Sequence, residues 1–166
     1  MNIADNIISK LNLRPHIEGG YFIETYTSPY LLDGKYINEN IEGKRPISST
    51  IYYLLKSGQS SQFHRLKFDE QWFFHRGSPL RVYLINKDGS LEVIKLGPEV
   101  TDNEIPQFLV KAGGVLGAEV IEDNSFTLVS CVVSPGFDYR DFTLFESKEL
   151  TEEFPQHEEL IKKFNG

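Results

Sequence analysis

His64 and Glu70 are the residues of this chain whose types and spacing most directly offer chemistry. An imidazole takes or gives a proton near neutral pH, and a neighbouring carboxylate orients it or shares a ligand with it. Both residues lie in apolar, alternating segments, QFHRL and EQWFFHR. In a strand, residues two apart share a face. His64 then faces the same way as Gln62 and Leu66, and Glu70 the same way as Trp72 and Phe74. If Lys67–Asp69 turns the chain back, the two groups meet across a hairpin on a wall of Leu, Trp and Phe. Such a pair suits metal binding or proton transfer, because an apolar wall strengthens the field of each group. The alternative is an edge hairpin whose His and Glu point to water.

Other side chains are candidates to join them. In a regular strand Ser60 and Gln62 share the His64 face and suit a hydroxyl-rich ligand. Trp72 and Phe74 either stack on a sugar ring or fill the core. Gln107, after Pro106, is a ligand-binding or a surface amide. Glu24 is the odd polar residue on the Phe22–Tyr26 face, so it lies at a sheet edge or in a pocket. Asp138 and Asp141 follow the Pro135-Gly136 break, where they cap the turn or bring acidity to a pocket mouth. Cys131 reads as a small buried hydrophobe. His75 is odd-spaced from Glu70, which turns it to the opposite face. His16 lies in a separate turn, and the sequence assigns it no place.

The elements that must position these groups are mostly strands. The 166 residues suit a single domain, 1–166, with 40% apolar and 13% aromatic residues. Strands are predicted over 21–27, 49–55, 80–86, 90–96, 107–111, 115–120, 126–133 and 141–145, with a hairpin at Asp88-Gly89. Ile7, Ile8 and Leu11 mark a helix over 4–11, and Leu160, Ile161 and Phe164 one over 157–164. The connection from Ser28 to Pro46 is a functional or oligomer-forming loop or a hairpin insertion. Many short strands at regular spacing predict an all-β sandwich or barrel with short N- and C-terminal helices. The net charge of -7 argues against a nucleic-acid partner. Cys131 is the only cysteine, which excludes an intrachain disulfide and a Cys-based zinc site and fits a reducing cytoplasm. No apolar run approaches membrane-spanning length, and MNIADNIISK lacks the pattern of a secretory signal.

Gly58, five residues, His64, then Glu70, six residues and Gly77 resembles the first motif of the cupin superfamily. That motif carries a second His two residues after the first; Leu66 stands there. In the second cupin motif Lys111-Ala112-Gly113 keeps the glycine without the proline, and Leu116 occupies the place of a third His. The segments HIEGGYF, SSTIYYLL, FHRLKFDEQWFFHRGSPL, PQFLVKAGG and SPGFDYRDF resemble a branch of small cupins labelled predicted sugar epimerases. The resemblance implies a double-stranded β-helix, the cupin jelly-roll barrel, and a homodimer. It also implies a small-molecule, carbohydrate-like ligand. Cupin iron and manganese sites use three His and one Glu, so the two leucines disfavour a divalent metal and no cofactor is expected. Cupin sugar-nucleotide epimerases use a metal-free His with a carboxylate and a Tyr acid, for which Tyr52, Tyr53, Tyr83 and Tyr139 are open candidates here. The expected function is a metal-independent epimerase or isomerase with His64 and Glu70 as catalytic groups. Gln62, Trp72, Phe74, Gln107, Glu24 and Asp138 are the expected ligand-binding residues. The alternatives are a non-catalytic ligand-binding cupin and, disfavoured by Leu66 and Leu116, a metal-dependent one.

Overall fold

A computed structural model describes residues 2–166. Helix α1 (Ile3–Leu11) starts where the Asn2 side chain accepts the Asp5 N–H at 2.8 Å and stops at Asn12, whose left-handed backbone (φ 55°) lets it cap the Ile8 and Ser9 carbonyls. Its apolar stripe, Ala4, Ile7, Ile8 and Leu11, packs on Leu54 and Phe126. Thirteen strands follow: β1 (Arg14–Pro15), β2 (Tyr21–Thr27), β3 (Leu31–Asp33), β4 (Lys44–Pro46), β5 (Ser49–Lys56), β6 (Ser60–Leu66), β7 (Asp69–Gly77), β8 (Leu80–Ile85), β9 (Leu91–Leu96), β10 (Gln107–Val110), β11 (Val115–Val120), β12 (Phe126–Ser134) and β13 (Phe142–Leu144). Helices α2 (Ser147–Glu153) and α3 (Glu158–Asn165) close the described chain.

Two antiparallel sheets face each other. One has six strands in the order β1-β2-β5-β12-β7-β10, the other five in the order β13-β6-β11-β8-β9. The core between them joins Tyr53, Trp72 and Val129 of the larger sheet to Leu84, Leu96 and Leu116 of the smaller. Each side chain of this size contributes about 1.5–3 kcal/mol by leaving water. The smaller sheet is covered on its outer face too, where Leu150 of α2 and Ile161 and Phe164 of α3 pack on Phe63, Ile85 and Val115. The predicted all-β architecture with terminal helices is the one observed. The segment from Ser28 to Pro46 folds as a hairpin insertion, β3 against β4. Helix α2 had no sequence prediction: SKELTEE carries one apolar residue, Leu150, and its full burial anchors the helix. No helix among the described residues is long and apolar enough to cross a membrane.

Two departures from regular strand geometry decide what surrounds His64. First, β6 and β7 do not form a hairpin; they belong to opposite sheets. The polar groups of the connecting turn are bound elsewhere, the Lys67 N–H donating to the Asp141 carbonyl and the Asp69 carboxylate accepting the Ala112 N–H. The chain therefore crosses the sandwich between His64 and Glu70, and the two residues face each other across the interior. Second, β6 carries a bulge. Its register against β11 steps from Leu116↔His64 to Ala118↔Ser61, so Gln62 and Phe63 together oppose Gly117. The extra residue inverts the alternation. Phe63 turns outward to Phe164 of α3, and Ser61, instead of Gln62, joins His64 inside. Gly117 makes room for this, since a Cβ there would lie 2.9 Å from the Phe63 ring.

Candidate functional site

A cavity of about 150 Å³ lies between the sheets, with His64, Glu70, Trp72, His16, Glu18 and Glu24 in its wall. Strand β6 supplies His64, β7 supplies Glu70 and Trp72, and the turn between β1 and β2 supplies His16 and Glu18. That turn depends on its paired glycines. Gly19 (φ 109°) sits so close to β6 that a Cβ would be 2.1 Å from the Ser60 carbonyl oxygen. At Gly20 (φ 69°) a Cβ would be 2.7 Å from the Tyr53 hydroxyl. The Tyr53 hydroxyl donates to the Gly19 carbonyl at 2.9 Å and fixes the turn to β5.

The hydrogen bonds define where protons sit. His64 Nδ1 is 2.7 Å from the Gln62 carbonyl oxygen. A carbonyl only accepts, so Nδ1 carries a proton and donates it, and Nε2 is the basic nitrogen. Nε2 lies 3.4 Å from Glu18 Oε2. The same oxygen is 3.5 Å from His16 Nδ1, and that nitrogen accepts the Glu18 backbone N–H at 3.3 Å. Glu18 Oε2 thus stands between two nitrogens that both lack a proton when the imidazoles are neutral, and the carboxyl oxygen is where a proton between them is held. Glu18 Oε1 accepts from the Ser61 hydroxyl at 3.1 Å.

Burial sets the charge states. It pushes the Glu18 carboxyl up to about 7, against the opposing pull of His16 and Ser61. It pushes Glu70 up to about 7 as well, against the His64 imidazole and the Trp72 N–H. It holds His64 below its ordinary value, with Glu70 and the Gln62 carbonyl acting the other way, and holds His16 down similarly against Glu18. Neutral imidazoles therefore face carboxyls poised to gain or lose a proton near pH 7, the condition under which general acid–base transfer is most efficient.

Several expected residues are not in the wall. The Gln62 side chain is displaced by the bulge, and only its carbonyl serves the site. Phe74 packs against the core beside the cavity. Gln107 is exposed and lies opposite Phe73 at the sheet edge. Asp138 caps the turn before β13, accepting the Arg140 N–H at 2.9 Å and pairing with its guanidinium. Glu24 and Trp72 do line the cavity, as do Tyr53 and Tyr139 among the four tyrosines. Tyr52 packs with His75 away from the cavity, and Tyr83 donates to Glu119 beside α3. His16, Glu18 and Ser61 are the additions. The signal for the first two is the Gly19-Gly20 pair, which forces a tight turn against a sheet and delivers the residues before it. Ser61 depends on a bulge that no local pattern announces.

Residues 5–145 match the profile of the family described as Cupin superfamily (DUF985). The chain belongs to the cupin superfamily. Protein SO0799 of Shewanella oneidensis, known from its crystal structure, is 39% identical, with a TM-score of 0.88 over 100% of this chain and 99% of that one. A hypothetical protein from Leishmania major is 37% identical with a TM-score of 0.89, over 98% of each chain. The uncharacterized protein YML079W of Saccharomyces cerevisiae is 32% identical over 157 residues, 86% of this chain and 75% of its own. In this cupin the donor set does not fit the metal site that cupins carry. Leu66 lines the cavity and Leu116 pairs directly with His64, both where histidine ligands would stand. Among the described residues no three His, Cys, Asp or Glu side chains are grouped to hold a metal ion. Glu18, held by the Ser61 hydroxyl, instead stands beside His64 Nε2.

Proposed function

We propose that this cupin is a metal-independent epimerase or isomerase that moves a proton on a small, carbohydrate-like ligand. The observation that carries this reading is the fixed tautomer of His64: the Gln62 carbonyl holds the proton on Nδ1 and leaves Nε2 basic inside the cavity. With Glu18 ionised, His64 Nε2 takes the proton from a carbon next to a carbonyl, and the Glu18 carboxylate 3.4 Å away stabilises the imidazolium that forms. Glu70, across the cavity on the other sheet, is the acid that protonates the developing enolate oxygen, and its raised pKa suits the task. Return of the His64 proton to the neighbouring carbon, as Glu70 takes back the proton of the second oxygen, gives an isomer; delivery of the Glu70 proton to the opposite face of the same carbon, instead of to the oxygen, gives an epimer. An acid opposite His64 with no structural partner of its own favours proton transfer over binding alone.

The test uses chelator-treated protein with neutral aldoses and ketoses in D2O. Proton NMR should show loss of the C–H signal beside the carbonyl, with the rate falling at least about 100-fold in His64→Gln. Exchange that survives His64→Gln, or that needs an added divalent ion, contradicts the proposal. The same proposal includes a cytoplasmic homodimer. Tyr26, Tyr30, Leu31, Tyr36 and Ile47 expose apolar surface along β2, the β3–β4 hairpin and the residue after it. Sedimentation at micromolar concentration should read the mass of two chains; the mass of one contradicts it.

A further inference from the structure

Glu70 is 7% exposed, lines the cavity, and has neither a hydrogen-bond nor an ion-pair partner among the described residues. The Trp72 indole N–H, on the same strand and in the same wall, is also buried without a partner. It lies close enough to lower the Glu70 pKa but makes no hydrogen bond of normal geometry. A buried donor and a buried acid left open side by side are costly unless a ligand completes them. No wall residue is Arg or Lys. Of the cations nearest in sequence to the wall, Arg65 is paired with Glu153 and Arg140 with Asp138, while the half-exposed Lys67 side chain lies 3.8 Å from Asp141. The buried Arg45 is bound to Asp141 as well.

We infer that the cavity takes an uncharged hydroxy-carbonyl compound, one of whose hydroxyls bridges Trp72 Nε1–H and Glu70, and that it excludes phosphorylated or nucleotide-linked sugars. The inference rests on the proton-transfer reading and narrows its substrate class. A hydroxyl accepts from the indole and donates to one Glu70 carboxyl oxygen at once, which leaves the other carboxyl oxygen to carry the acid's proton. An ammonium would satisfy Glu70 but set its own N–H groups against the indole N–H. A phosphate would place its charge among Glu18, Glu24 and Glu70 with no cation in the wall to answer it. Size agrees: about 150 Å³ encloses a ring of roughly six heavy atoms, which suits a compound of about three to six carbons with its far end at the mouth.

Trp72 is the only tryptophan, so the wild-type protein gives a single indole N–H signal in a proton–nitrogen correlation spectrum, a direct reporter on the cavity. The probes are matched pairs: D-glyceraldehyde, D-ribose and D-glucose against glyceraldehyde 3-phosphate, ribose 5-phosphate and glucose 6-phosphate, with glucosamine as the cation. At least one neutral probe should move the indole signal saturably in the millimolar range, with its phosphate about tenfold weaker or more. Glu70→Ala should weaken that neutral probe, while Gln107→Ala, at the exposed sheet edge, should leave its binding in place. If no neutral probe moves the signal, or if a phosphate or glucosamine binds as well, the inference is wrong. Binding of neutral sugars by wild type without proton exchange in D2O would sink the proton-transfer reading and leave the ligand class standing.

Discussion

Glu70 keeps its carboxyl buried without a partner, and the cost falls on the charged form. Its folded pKa of about 7 lies above the ordinary value of 4.5. The stability this proton contributes is therefore fully present below about 4.5 and is lost as pH rises through about 7. The titratable groups that share the cavity with it are His16, Glu18, Glu24, Tyr53, His64, Cys131 and Tyr139. Burial lowers the two histidines, so their contribution has the opposite sign: it is present above 6.5 and lost as pH falls through their folded values. Comparing wild type with Glu70→Gln isolates the carboxyl, because the other groups stay in both proteins. The stability of wild type minus that of the variant should grow by about 2 kcal/mol between about pH 8 and about pH 5.5, read from urea unfolding at each pH. A difference independent of pH would show that Glu70 is paired or exposed. Residue types alone made His64 and Glu70 legible, because few other residues combine a titratable group with an apolar strand pattern. Glu18 was not, since its role depends on Gly19 and Gly20 pressing its turn against β6.

At the scale of elements, that turn and the strap over the mouth carry the site. Gly19→Ala would put a Cβ within 2.1 Å of a backbone oxygen at a φ of 109°. It should cost more than about 2 kcal/mol and displace Glu18, so that thermal unfolding shifts downward and the His64 pKa changes with it. A stable variant with an unmoved His64 titration would contradict this role. On the other side, Arg45 of β4 makes a two-pronged bond to Asp141, 2.6 and 3.1 Å, with both side chains buried. It ties the β3–β4 hairpin to the turn that presents Tyr139 and Phe142 to the cavity. Arg45→Met leaves the Asp141 charge buried and should lose about 3–5 kcal/mol in urea unfolding, whereas Arg45→Met with Asp141→Leu should recover most of it. A double variant no better than the single one would show that the pair's geometry, and not its buried charge, holds the strap. Strand bounds were legible because alternation and turn residues are local. The assignment of β6 and β7 to different sheets was not, because their partners β11 and β12 lie some 50 to 65 residues further along the chain.

For the whole molecule, the cupin sandwich brings one wall from each sheet to a single small cavity. Apolar residues stand at two of the places where cupins offer metal ligands, and acids and imidazoles share protons in their stead. The fold followed from strand count and patterning, and the Gly58, His64, Glu70, Gly77 spacing pointed to the right pair of strands. What spacing left open was which carboxyl touches His64, since that needs the bulge at Gln62–Phe63 and the crossing at 67–68. The central claim is that His64 holds its proton on Nδ1 and offers Nε2 to the cavity as a base. The protein has four histidines, so a long-range proton–nitrogen correlation spectrum of nitrogen-15 labelled protein resolves each ring, with His64→Gln supplying the assignment. The account predicts that at pH 7 the His64 ring is neutral, protonated at Nδ1 and bare at Nε2. A ring protonated at Nε2 alone, or an imidazolium that persists above pH 7, would contradict it.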